Sequence, residues 1–216
     1  MGLKLYGHPF SSYTWKALIA LYANDTPFEF CGVGGENPAH DAFVKNASPL
    51  GKFPVLVDGG AIIFEATSVI EYLHLHHPGP TPLLPANADA AITTRMIDRV
   101  FDNYIMNIMQ ECVAEAIRDG ALSDETRARV SEQLDRSYGW LDNWLDSYPQ
   151  SDAISLIECA AAPSLFYADW VYEIPKKYVR LKAWRAHLLA LPSVKRCVDD
   201  ARPFRHYFPL GAPDRD

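Results

Sequence analysis

The first eighty positions alternate between two hydrophobic periods. Residues 3–6 (Leu-Lys-Leu-Tyr) and 28–31 (Phe-Glu-Phe-Cys) run apolar and polar in turn, the period-two pattern of a half-buried strand. Between them Thr14, Ala17, Leu18, Leu21 and Tyr22 recur at helical spacing within residues 11–24. Strand, helix and strand in such close succession make a βαβ unit, whose strands run parallel through a right-handed crossover. Residues 55–57 and 61–64 then flank Asp58-Gly59-Gly60, a hairpin signal. Val69, Ile70 and Leu73 give residues 67–74 the apolar face of a helix. The pattern predicts βαβ followed by ββα.

The stretch Pro78-Gly79-Pro80-Thr81-Pro82-Leu83-Leu84-Pro85 breaks both periods. Four prolines in eight residues exclude helix and disfavour strand, so a linker is placed at 80–88, pinned by Leu83 and Leu84. From Asp89 onward only the helical period remains. Ile92, Met96 and Val100 open one long helix, predicted to run through Met109 toward Ile117 and to end at Asp119-Gly120. Val130, Leu134, Leu141 and Leu145 mark a second, closed before Pro149. Ser155-Leu156-Ile157-Glu158 is a capping box, in which Ser accepts from the helix backbone and Glu reaches back to the cap. It opens a run from Cys159 to Phe166 so small and apolar that it reads as a buried central helix, where Pro163 either kinks the helix or fits at a turn. Residues 181–190 and 194–201 supply two more short helices. The fold class expected is α+β with two domains: residues 1–79, the linker 80–88, and an all-helical 89–216.

Composition narrows the function. With 216 residues, 49% of them hydrophobic and 22% charged, the chain can build a core without metal or disulfide staples. A net charge of -7 argues against a nucleic-acid-binding surface. No apolar run approaches the ~20 residues of a membrane span, and the start Met1-Gly2-Leu3-Lys4-Leu5-Tyr6 lacks a signal-peptide stretch. Cys31, Cys112, Cys159 and Cys197 lie far apart with no C-x-x-C pair. A reduced, cytoplasmic setting without membrane contact is expected. His74 and His77 stand three apart on a helix, with His76 between them, but no carboxylate or cysteine accompanies them. They read as a solvated helix end, and no metal site is expected. Asp98, Asp102 and Glu111 read as solvated or interface faces.

The order of elements and five local motifs resemble the cytosolic glutathione transferases, of the bacterial, serine-activated type. Tyr6-Gly7-His8-Pro9-Phe10-Ser11 resembles the phi-class opening, where Gly-His-Pro-x-Ser ends in the catalytic serine. Ser11-Ser12-Tyr13-Thr14-Trp15-Lys16 resembles the zeta-class Ser-Ser-Cys-Ser-Trp-Arg, with Tyr13 in place of cysteine and Lys16 in place of arginine. The segment from Ser48 to Leu56 resembles Asn-Pro-x-Gly-x-Val-Pro, whose last proline is cis, and Glu65-Ala66 stands where the family usually has Glu-Ser. Ser155 and Glu158 match its helix-capping box, with Glu for the usual Asp. The resemblance covers nearly the whole chain. It implies a thioredoxin-like first domain, a helical bundle after it, glutathione as co-substrate, a small hydrophobic electrophile as second substrate, and a homodimer.

The resemblance also implies roles. Glutathione reacts as its thiolate, and a free thiol with a pKa of ~8.5 is only a few per cent ionised at neutral pH. Ser11 would donate a hydrogen bond to sulfur at the positive end of the first helix, with Ser12 as the fallback donor. Read by position alone, either serine is an N-cap. Phe53, before Pro54, would pair its backbone with the cysteinyl part, and Lys52 would meet the glycyl carboxylate. Glu65 would hold the γ-glutamyl ammonium and the start of its helix the carboxylate. Ala66 lacks the usual hydroxyl there, leaving a backbone N–H unless Thr67 or Ser68 substitutes. Phe10, Tyr13, Tyr104 and Met109 are candidates for the electrophile pocket, though aromatic and Met residues at helical spacing also read as core. Two further readings stand beside the transferase: a glutathione-binding module without catalysis, favoured by Ala66, and a zeta-like isomerase, disfavoured by Tyr13 and Lys16. A glutaredoxin-like reductase would want a cysteine at the start of the first helix, where Ser11, Ser12 and Tyr13 stand.

Overall fold

The computed structural model describes residues 2–35 and 37–216. Strand β1 (Lys4–Gly7), helix α1 (Ser12–Ala23) and strand β2 (Glu29–Gly32) form the expected βαβ unit, with β1 and β2 parallel and Leu5 opposite Phe30. Strands β3 (Val55–Asp58) and β4 (Ala61–Phe64) form the hairpin, Asp58 pairing with Ala61 across Gly59-Gly60. Gly59 takes φ of 58°, a conformation such a tight turn requires and a β-carbon disfavours. β3 pairs antiparallel with β1, so the sheet order is β2-β1-β3-β4. Helix α3 (Ala66–His76) comes next.

One element has no counterpart in the hydrophobic pattern. Helix α2 (Pro38–Ala47) starts on Asn37, whose side chain accepts from Ala39 N at 3.1 Å, with Pro38 in the first turn where its missing N–H costs nothing. Among its residues Val44 alone is buried, a stripe too narrow for periodicity to detect. Val44 closes a small cluster with Val33 and Val55 on one face of the sheet.

The other face carries the main core. Leu3 just before β1, Leu5 in it and Leu56 from β3 join Trp15, Leu18, Ile19 and Leu21 of α1 in this core. The C-terminal helices are α4 (Ala88–Phe101), α5 (Asn107–Asp119), α6 (Asp124–Trp144), α7 (Leu156–Val171), α8 (Val179–Ala190) and α9 (Pro192–Ala201). α7 opens on the capping box: Ser155 Oγ accepts from Ile157 N at 3.1 Å and Ser155 N donates to Glu158 at 2.8 Å. Every residue from Leu156 to Asp169 is buried, and the helix runs through Pro163 without ending. α1 packs against α7, α3 and α9, so the sheet and the helices share one core. The proline-rich crossing is fastened to α1 by Asn24, which donates to Thr81 O at 3.0 Å and accepts from Thr81 N at 2.9 Å. Leu83 and Leu84 are buried. No helix of the described residues is long and apolar enough to cross a membrane.

Two expectations change in the run after the linker. The single long helix is interrupted by a wide π-turn, Asp102–Met106, between α4 and α5. One inserted residue rotates the rest of the helix by ~100°, which resets the phase of α5 against its neighbours. Nor are Asp98 and Asp102 solvated. Lys16, 1% exposed in the middle of α1, donates to Asp98 Oδ1 at 2.7 Å, Asp102 Oδ1 at 2.8 Å and Thr67 Oγ1 at 3.2 Å. Asp98 is fully buried and also accepts from the Thr67 hydroxyl at 2.8 Å and from Arg99 Nη2 at 2.5 Å. Two cations thus balance two carboxylates where α1, α3 and α4 meet. Burial pushes the Asp102 carboxyl above its ordinary range, against the pull of Lys16.

Removing the cation should therefore cost more than deleting a surface pair. Lys16→Met is expected to lower the stability read by urea unfolding by about 3–5 kcal/mol. Arg95→Ala, which breaks the exposed pair with Glu71, should change it by less than about 1 kcal/mol. A second test concerns Gly7, where a β-carbon would lie 2.6 Å from Thr14 Cγ2. Gly7→Ala is expected to lower stability by about 1–3 kcal/mol, and adding Thr14→Ala should recover part of that loss.

Candidate active site

Strand register decides which residues can meet. Tyr6 pairs with Val55, and Val55 pairs with Phe64. The end of β1, the start of β3 and the end of β4 therefore lie side by side at one end of the sheet. The loop from His8 to Ser11 leaves β1 there, Phe53-Pro54 leads into β3, and Glu65 comes directly after β4. The helices α1 and α3 both begin there, so two positive helix ends face the same region.

Ser11 is the N-cap of α1, its Oγ accepting from Thr14 N at 3.3 Å. Capping uses the hydroxyl as an acceptor, and its O–H remains a donor, so the two readings of Ser11 are compatible. Ser11 is half-buried and Ser12 is buried, which makes Ser11 the more accessible of the pair. The loop before them is clamped. Trp15 Nε1 donates to Pro9 O at 2.6 Å, the Tyr167 hydroxyl donates to Phe10 O at 3.0 Å, and Phe10 N donates to His8 Nδ1 at 3.1 Å. Phe10 also meets Tyr167 edge-on at 5.4 Å between ring centres.

The Phe53-Pro54 bond is cis, in the segment whose family counterpart ends in a cis proline. Ser48 Oγ donates to Lys52 O at 2.9 Å and fixes the approach, and the Lys52 side chain is exposed. Glu65 is exposed at φ of 69°, rare for a residue with a β-carbon and typical of positions held in place for function. Its side chain does not cap α3, so the carboxylate is not spent on its own helix. Ala66 is buried.

Thr67 is placed differently from its expected use. Its hydroxyl donates to Asp98 and accepts from Lys16 and Arg99 Nη2, so it has no hydrogen left for a ligand. Tyr13 reaches across to α5, donating to Asn107 Oδ1 at 3.2 Å, and burial pushes its hydroxyl well above the ordinary tyrosine range. Tyr104, on the π-turn, is 57% exposed. Met109 is 1% exposed and belongs to the core, so it cannot line an open pocket. Sequence reasoning misses Lys16, Asp98, Asp102 and Arg99 as neighbours of the site. The one signal is a lysine in the middle of an otherwise apolar helical stretch. It also misses the short 3₁₀ segment Arg202–Tyr207, whose Phe204 ring lies 4.8 Å from that of His8.

Residues 5–81 match the model of the family described as the glutathione S-transferase N-terminal domain. The chain is 28% identical over 213 residues to glutathione S-transferase F6 of Arabidopsis thaliana, covering 91% of this chain and 99% of that one. A glutathione S-transferase from Methylobacillus flagellatus, solved with glutathione bound, matches with a TM-score of 0.77 at 22% identity, over 90% of this chain and 98% of that one. An unclassified glutathione S-transferase from Bombyx mori matches with a TM-score of 0.82 at 17% identity, over 99% and 100%. Fold and sequence thus agree: residues 5–81 match the glutathione S-transferase N-terminal domain, and the chain as a whole is similar to glutathione S-transferases over nine-tenths of its length.

Proposed function

We propose that the chain is a glutathione S-transferase that adds the glutathione thiolate to small hydrophobic electrophiles. One observation carries the reading: Ser11, the Phe53 backbone and Glu65 lie at the same end of the sheet, where an extended γ-glutamyl-cysteinyl-glycine could touch all three. Phe53 would pair with the cysteinyl backbone, Glu65 would take the ammonium, and Lys52 would take the glycyl carboxylate. Residues 1–79 form the glutathione-binding unit in this reading, 80–88 the linker and 89–216 the helical unit.

Ser11 would donate its O–H to the sulfur at the start of α1. Lowering the thiol pKa by ~2 units needs about 2.7 kcal/mol of preference for the anion, within reach of one charge-assisted hydrogen bond and a helix end. The thiolate then attacks the electrophilic carbon. A C–S bond forms as the leaving group departs with its electron pair, or as a conjugated double bond takes the pair and then a proton. Phe10 and Tyr13 are the better-placed walls for the electrophile, Tyr104 lies further out, and Met109 backs them from the core. The four free cysteines, all buried, accord with a cytoplasmic protein.

A homodimer belongs to the same reading. Ile62 and Phe64 on the edge strand β4, and Ile92 and Met96 one turn apart on α4, are exposed apolar side chains on the two parts of the chain. Packed first part against second, two copies would bury both sets in a self-complementary interface.

Glutathione titration read by thiolate ultraviolet absorbance across pH tests the chemistry. A bound-thiol pKa at least about one unit below the free value of ~8.5 is expected, with Ser11→Ala moving it back up. Because activity requires the thiolate, the rate midpoint should move to higher pH in that variant. Binding with an unshifted pKa would favour the non-catalytic module. For the assembly, Phe64→Glu combined with Met96→Glu should convert a dimer into a monomer in sedimentation; a wild-type monomer would refute this interface.

A further inference from the structure

The start of α3 lacks a feature its role would demand. A γ-glutamyl group carries a carboxylate as well as an ammonium, and Ala66 offers that carboxylate a backbone N–H but no hydroxyl. Thr67 cannot replace it, because its only hydroxyl hydrogen is given to Asp98 at 2.8 Å. The nearest cation is on another element. Arg99 of α4 places Nη2 against Thr67 Oγ1, one residue into α3.

We propose that Arg99 is the specificity residue for the γ-glutamyl carboxylate, supplying from α4 the contact that Ala66 leaves out. This rests on the glutathione reading of the site. The guanidinium is fixed in orientation on one edge. Nε donates to Asp98 Oδ2 at 3.1 Å, Nη2 donates to the same oxygen at 2.5 Å, and Asp102 Oδ2 lies 3.3 Å from Nη2. Among the described residues Nη1 makes no hydrogen bond, and the side chain is 51% exposed. An arginine has five donors in a planar fork, so a guanidinium held at Nε and Nη2 still presents two N–H groups at Nη1.

Lys16 shares with Arg99 the work of pairing Asp98 and Asp102, so Arg99 does not face both carboxylates alone. Asp98 and Asp102 together carry two negative charges, and the Lys16 ammonium between them takes up one. Arg99 balances the other, so the two buried carboxylates are paired and, among the described residues, Glu65 is the one further acid whose charge reaches Arg99. Glu65 then stands on the α3 start as the group for the ammonium. The combination selects a zwitterionic head, with an acid for the amine and a fork plus a helix end for the carboxylate.

The test uses three tripeptides with the same thiol and glycyl end: glutathione, 4-aminobutyryl-cysteinyl-glycine, which lacks the α-carboxylate, and glutaryl-cysteinyl-glycine, which lacks the amine. Their Kd values are measured by calorimetry with wild type and Arg99→Gln. Arg99 is half in solvent and Asp98 keeps Lys16 and Thr67, so the variant should fold; its Tm is checked against wild type. Wild type should prefer glutathione over the 4-aminobutyryl peptide by about 10- to 100-fold. Arg99→Gln should shrink that ratio to a few-fold and leave the preference over the glutaryl peptide unchanged. Equal weakening toward all three peptides would make Arg99 merely structural and overturn the proposal. So would a wild type that does not discriminate the carboxylate. A wild type that binds none of the three fails the glutathione reading itself, and the proposal with it.

Discussion

The whole arrangement depends on one register. Because Tyr6 faces Val55 and Val55 faces Phe64, three chain segments far apart in sequence finish or start at the same end of a four-stranded sheet. A slip of one residue would do more than move side chains. It would exchange the faces of the strand, sending Val55 from the small cluster with Val33 and Val44 toward the main core. The two cores, one on each face, therefore fix the register, and the register fixes the site.

Over this frame lies an unusual ion cluster. Burying Lys16, Asp98 and part of Asp102 is costly unless each charge is paired and hydrogen-bonded. The contacts satisfy that condition: the ammonium has two carboxylates and a hydroxyl, and Asp98 has an ammonium, a guanidinium and a hydroxyl. A hydrophobic plug of the same volume would serve stability as well. What the ions add is direction, because hydrogen bonds from α1 to α3 and α4 set the relative position of two helix starts that oily packing would leave freer to slide. Thr67 joins the cluster at the first turn of α3, the helix start on which the proposed γ-glutamyl contact depends.

Much of this is legible in the sequence, for identifiable reasons. The strands, the Gly59-Gly60 turn, α1, the proline-rich crossing and the Ser155–Glu158 box are local signals, each fixed by neighbours along the chain. α2 escapes because Val44 is its lone buried residue. The π-turn escapes because an apolar stripe at Ile92, Met96 and Val100 predicts a helix without saying where its phase will jump. The burial of Asp98 escapes for a different reason: its partner Lys16 lies 82 positions away, and nothing in the period of either helix couples them. Met109 shows the converse error, a residue assigned to a pocket that its helix in fact turns into the core.

Net charge gives these long-range pairs their functional weight. In the glutathione reading, a chain at -7 must attract a peptide that is itself anionic at neutral pH. Bulk electrostatics oppose that encounter, and screening at physiological salt confines the opposition to about 8 Å. In that reading the local arrangement decides inside that distance: the starts of α1 and α3, and Arg99, whose Nη2 meets Thr67 Oγ1. Ser11 fits this logic as well. Its oxygen accepts from Thr14 N, which holds the first turn of α1 in shape, and among the described residues the hydroxyl is hydrogen-bonded to no carboxylate. The carboxylates of Asp98 and Asp102 are instead tied to Lys16 and Arg99, and Glu65 remains as the acid at the start of α3. With those two carboxylates paired internally, the start of α1 can offer its positive end to the sulfur of the proposed reading in a chain that is negative overall.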